Sequence, residues 1–225
     1  MPHSKTNDNL DTRLYYSKRE EIANSLSHGL GALLSSIGFI FLITRALPLH
    51  DTWRVATVSV FGATLFLAHL ASTFYHAFRS RKIKRVLQVI DHWAIYLLVA
   101  GTFTPFLLVT LRSPFGWSMF ALVWSFAFSG ILFKSLFINR FPKFGASTYV
   151  IMGFLSIFIM KSLYLNLPLT GFVWILIGGT IYLLGLLFLG WHSLPYNHMI
   201  WHLFVMGGSA SHFIVIYFYV LPKGG

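Results

Sequence analysis

Asn197-His198-Met199-Ile200-Trp201-His202 opens the last apolar run of the chain, which continues to about residue 221. On a helix, residues four apart share a face about one turn from each other, so His198 and His202 can grip one metal ion together. That reading makes the run a helix, and its composition puts the helix in lipid. An apolar run of about 20 residues, rising about 1.5 Å per residue, spans the roughly 30 Å of hydrocarbon in a bilayer. Runs of this kind recur from about Ile22 to the end of the chain.

The composition agrees. Of 225 residues 56% are hydrophobic and only 10% charged, with 23 phenylalanines, which is not the make-up of a soluble protein. The weak alternation of transmembrane strands is absent. The fold class is therefore all-α: a polytopic membrane protein with seven transmembrane helices. The spans cover about residues 22–47, 53–78, 86–111, 117–137, 145–164, 170–189 and 197–221. Residues 1–19 are polar and read as a flexible cytoplasmic tail, with 20–225 forming the membrane domain. The tail has neither an apolar core nor a small-residue cleavage site, so the first span is expected to be retained. Pro105, in Thr102-Phe103-Thr104-Pro105, removes one backbone donor from the third span and invites a local kink.

The net charge of +11 does not point to nucleic acid, because the basic residues fall in short loops between apolar segments. With seven spans, twelve Lys and Arg lie on the side of the N-terminal tail and loops 2, 4 and 6, against five on the other. The positive-inside bias then puts the N-terminus in the cytoplasm and the C-terminus outside. His76 closes span two on the cytoplasmic side, Asp91 opens span three there, and His198 and His202 open span seven. His28 shares that depth. Four chemically competent side chains from distant segments thus meet at one level.

The chain has no cysteine, so a metal must be held by histidine, carboxylate or water. Ser72-Thr73-Phe74-Tyr75-His76 supplies a third histidine, with Ser72 on the same face. Three histidines and an open fourth position form the pattern of catalytic zinc. Asp91 is the only carboxylate inside an apolar segment, a costly placement that marks function by default. It reads either as a fourth ligand or as a residue one layer out that orients a water and takes its proton. Ser72 reads either as a hydrogen-bond partner of that water or of another ligand, or as a back-bond to the Ala68 carbonyl. His69, His92 and His212 read as hydrogen-bond partners between helices, and Glu20 and Glu21 as acidic residues suited to a helix N-terminus. Asn24, His28, Gly31 and Ser35 make a stripe facing the bundle. Gly207-Gly208 reads as close helix packing. The absence of HExxH argues against a zincin-type protease.

Glu20-Glu21, Ser72-x3-His76, Asp91 and His198-x3-His202 together resemble the hemolysin III family. That family is the bacterial branch of the progestin and adipoQ receptors, which include the adiponectin receptors. The likeness runs from about Glu20 to Tyr219. It implies a seven-helix bundle in the bacterial inner membrane, with Zn2+ near the cytoplasmic face. His76, His198 and His202 would be its ligands, Asp91 would contact a water on the zinc, and Ser72 would be the motif serine. It also implies ceramidase-like hydrolysis or a role in membrane lipid homeostasis. Two functions follow: a zinc-dependent hydrolase of lipid amide or ester bonds, or a non-enzymatic lipid sensor, channel or cytolysin with structural zinc. Membrane lipid is the expected partner in either case, and the sequence leaves the oligomeric state open.

Overall fold

The computed structural model describes residues 16–137 and 144–221. The tail assigned to residues 1–19 lies mostly outside them, as do Arg140, Lys143 and Lys223 of the charge count. Eight α-helices follow in order among the described residues: α1 Lys18–Ala46, α2 Thr52–Ala77, α3 Arg81–Pro105, α4 Pro114–Phe137, α5 Phe144–Phe154, α6 Ser156–Asn166, α7 Leu169–Gly190 and α8 Asn197–Val215. These residues are predominantly helical, and among them six helices are long and apolar enough to cross a membrane.

The expected fifth span is in two pieces. Leu155 interrupts it, and around that residue the backbone bonds tighten to three-residue spacing, Leu155 N–H to the Met152 carbonyl and Phe158 N–H to the Leu155 carbonyl. Gly153 and Ser156, weak helix formers, flank the break. At Pro105 the helix widens into a π turn, Phe106–Thr110, before ending. The Thr102 and Thr104 hydroxyls bond back to the Leu98 and Ala100 carbonyls, 2.7 and 2.8 Å away, just upstream of the proline. Such local re-bonding lets a membrane helix tolerate proline.

α1 has the reverse polarity of a helix on a water-soluble protein. Its buried face carries Glu21, Asn24, His28, Gly31 and Ser35, while Ile22, Leu26, Leu30, Leu33 and Ile40 are exposed. An apolar outer face and a polar inner one suit a lipid surround. The expected stripe of Asn24, His28, Gly31 and Ser35 faces inward as the spacing requires.

α1 packs on α2 and α8, α2 on α3, α3 on α4, and α7 on α8. Small residues permit the close approaches. A Cβ on Gly31 would lie 2.6 Å from His69 Nδ1, and one on Gly208 would lie 2.9 Å from the Tyr182 ring. The start of α1, the end of α2, the start of α3 and the start of α8 meet at one end of the bundle, where the chemistry-bearing residues gather.

Candidate metal centre

His76 lies in the last turn of α2, and His198 and His202 lie in the first turns of α8. One ligand atom from each falls within 4.8 Å of the other two, the spacing a single ion needs. The ring centroids are 5.1 Å apart for His76 and His198, 5.3 Å for His76 and His202, and 4.4 Å for the α8 pair. Two helices whose histidines lie more than a hundred residues apart in the chain thus converge.

His76 Nε2 and His198 Nδ1 are buried without a hydrogen-bond partner. A buried imidazole nitrogen without a partner is costly, and a metal ion relieves that cost. The donor set, three histidines without thiolate, suits a divalent borderline metal with an open position. The residues present therefore fit an ion. Asn24, 1% exposed on the same face of α1, also leaves its side-chain oxygen and nitrogen without partners.

Asp91 is partly buried in the third turn of α3. It faces the Ser72 hydroxyl and lies within electrostatic reach of His76, His92 and Lys84. Among the described residues, the tight ligand group holds the three histidines and not Asp91. Ser72 is 4% exposed, one turn before His76. His69 bonds His28 across the α1–α2 contact, Nδ1 to Nδ1 at 2.8 Å. It is thus the interhelical partner its sequence position suggests. His92 and His212 bond to main-chain carbonyls within their own helices, those of Gln88 at 2.6 Å and Gly208 at 2.8 Å. His28 reaches the cluster itself, 3.8 Å from His202 between ring centroids.

The two glutamates at the start of α1 part company. Glu20 forms a capping box with Ser17: its amide donates to Ser17 Oγ at 3.3 Å, and its carboxylate accepts from the Ser17 amide at 3.0 Å. It also accepts from the Tyr196 amide at 3.2 Å. Tyr196 has a left-handed backbone, φ 57°, and immediately precedes α8. Glu20 thus ties the strained head of α8 to α1.

Glu21 points inward, 5% exposed, and its role is not legible in the sequence. Its Oε2 accepts from His76 Nδ1 at 2.7 Å, and its Oε1 accepts from Lys84 Nζ at 2.7 Å. The sequence spans leave Lys84 in the loop of residues 79–85. Instead α3 begins at Arg81, and Lys84 turns inward, 1% exposed. Tyr16 is a second unforeseen neighbour. Its ring stacks on His198 at 5.0 Å and lies 6.1 Å from His76. Burial, with the Glu21, Glu20 and Asp91 carboxylates adding to it, pushes the Tyr16 phenol up to about 12. It stays a neutral donor over the cluster at any physiological pH.

Comparison with known proteins identifies the family. Residues 16–213 match the family described as Haemolysin-III related. The chain is 47% identical to Hemolysin-3 of Bacillus cereus over 211 residues, 94% of this chain and 96% of that one. It is 42% identical over 204 residues to a Hemolysin-3 homolog of Bacillus subtilis, covering 91% and 96%. The human Monocyte to macrophage differentiation factor is 25% identical over 207 residues, covering 89% and 84%. A helical membrane bundle carrying a three-histidine cluster, matched from Tyr16 to Phe213 and at this identity, belongs to the haemolysin III family.

Proposed function

We propose that the protein is a zinc-dependent hydrolase of amide or ester bonds in membrane lipids. His76, His198 and His202 hold the ion, with the site opening to the cytoplasmic side of a bacterial inner membrane. The carrying observation is the trio of imidazole ligand atoms within 4.8 Å of one another, two of the rings having buried, unpartnered nitrogens. Bound there, zinc supplies Lewis-acid polarisation and lowers the pKa of water toward about 7. Asp91 accepts the proton of the attacking water, and Ser72, facing it, holds the carboxylate in place. Tyr16 covers the His198 ring and limits entry of bulk water. The exposed apolar faces of the helices give an acyl chain a lipid-side approach.

The test is direct. Protein purified without chelators should carry about one zinc per chain and, in proteoliposomes, cleave ceramide-like or phospholipid substrates. Metal-free protein from such a preparation would end the zinc reading. Zinc-loaded protein inert toward both lipid classes would favour the non-enzymatic alternative, a lipid sensor, channel or cytolysin with structural zinc.

The proposal includes seven spans, counting α5 and α6 together as the fifth, and a cytoplasmic N-terminus. A reporter inserted at Ser80, in the short link between α2 and α3, should lie in the cytoplasm. One fused after Gly225 should lie outside. The opposite result would move the histidine cluster to the outer face and overturn the assignment built on charge.

A further inference from the structure

We infer that α1, outside the three-histidine ligand group, fixes the tautomer of two of the three ligand histidines through Glu21 and Ser27. The inference rests on the zinc reading and goes beyond it. A neutral imidazole has one N–H and one lone pair, so whatever accepts the N–H decides which nitrogen can face a metal. At His76 the accepting group is the Glu21 carboxylate, 2.7 Å from Nδ1. An ionised carboxylate only accepts, so Nδ1 carries the hydrogen and the lone pair falls on Nε2, the buried atom without a partner.

Glu21 is itself held. Its second oxygen takes Lys84 Nζ at 2.7 Å, and Lys84 also donates to the Tyr75 carbonyl at 3.1 Å. Withdrawing this carboxylate and ammonium from water is costly, and such pairs often add no net stability against apolar replacements. Their placement makes sense as orientation: the carboxylate is fixed from its far side and aimed at His76.

At His202 the logic differs but leads to the same nitrogen. Ser27 Oγ lies 3.0 Å from His202 Nδ1 and 2.9 Å from the Asn24 carbonyl. The hydroxyl has one hydrogen, and the carbonyl can only accept, so that hydrogen goes to Asn24. Ser27 must then accept from His202 Nδ1–H, which leaves the lone pair on Nε2. Two ligands on different helices are thus given one tautomer by one helix, through side chains six positions apart.

The experiment measures zinc affinity of the full-length protein in detergent by competition with a chromophoric chelator, beside the visible spectrum of the Co2+-loaded protein. Glu21→Ala and Ser27→Ala should each weaken zinc binding about 10- to 100-fold, the usual effect of removing a group that orients a ligand histidine. Glu21→Gln and Ser27→Thr keep an acceptor and should recover most of the affinity. Ser36→Ala, on the exposed side of α1, should change nothing. The Co2+ bands should shift in the two alanine variants, which general loosening of the bundle would not produce. Should Glu21→Ala fail to fold, Ser27→Ala, which removes one oxygen atom, decides the matter. Wild-type zinc affinity in both alanine variants, with zinc lost in His76→Ala, would overturn this inference and leave the metal site standing. Wild-type protein that binds no zinc would defeat the site itself.

Discussion

His202→Ala should empty the metal centre. Zinc content should fall from about one ion per chain to below roughly a tenth when the protein is purified under modest chelator competition. Apparent zinc binding free energies are on the order of 10 kcal/mol or more, and each of three histidines carries roughly a third. Losing about 3 kcal/mol weakens affinity more than a hundredfold. His202 is 1% exposed, so the change also leaves a cavity, and loss of zinc has to be separated from loss of the fold. His69→Ala is the matched control. His69 is equally buried and bonds His28, but it is not in the ligand group. It should lose thermal stability and keep its zinc. Added zinc should raise the melting temperature of wild type and His69→Ala, since a ligand that binds only the folded state stabilises it. It should do nothing for His202→Ala. Equal zinc content in His202→Ala and wild type would rule out the three-histidine centre.

How far the site was legible in the sequence follows from which interactions are local and which are not. His198 and His202 are four apart in one helix, so helical geometry alone pairs them. His76 joins them because span ends and loop charges fix depth, and depth is a property that hydropathy reports well. The buried stripe from Asn24 to Ser35 was readable for the same reason, a period of 3.6 on a helix whose other face is apolar.

Glu21 was not readable. Its position at a helix start has a sufficient local explanation, while its partners lie 55 and 63 residues away. Glu20 next to it does have the local role, so the two could be told apart only by the face each takes on α1. Lys84 was hidden by an early helix start: a basic cluster looks like a loop until the backbone shows which of its members turns inward. The break at Leu155 is a change of backbone hydrogen-bond spacing within a run that is apolar on both sides, and hydropathy does not register it. Tyr16 sits in a stretch whose polar composition suggests only a tail, and its contact with His198 depends on where the Ser17 cap turns the chain.

Asp91→Asn separates a hydrolase from a protein that merely holds zinc. Asn is nearly isosteric with Asp and still accepts a hydrogen bond from Ser72, but its amide cannot take a proton at neutral pH. Asp91 lies outside the tight ligand group, so zinc content and folding should survive the change. Lipid hydrolysis should fall about 100-fold or more, the usual share of a positioned general base. The loss should appear in kcat rather than KM, because in the proposed mechanism the carboxylate would act on the attacking water and not on the acyl chain. A protein in which zinc only clamps α2 to α8 would behave otherwise, its effect on membrane composition or permeability passing unchanged through Asp91→Asn. A third outcome is also distinct: if the carboxylate is itself a ligand, zinc affinity falls along with activity. The substitution places a neutral group among His76, His92 and Lys84, which the native carboxylate faces. Full zinc and hydrolysis reduced about a hundredfold would assign proton transfer to Asp91.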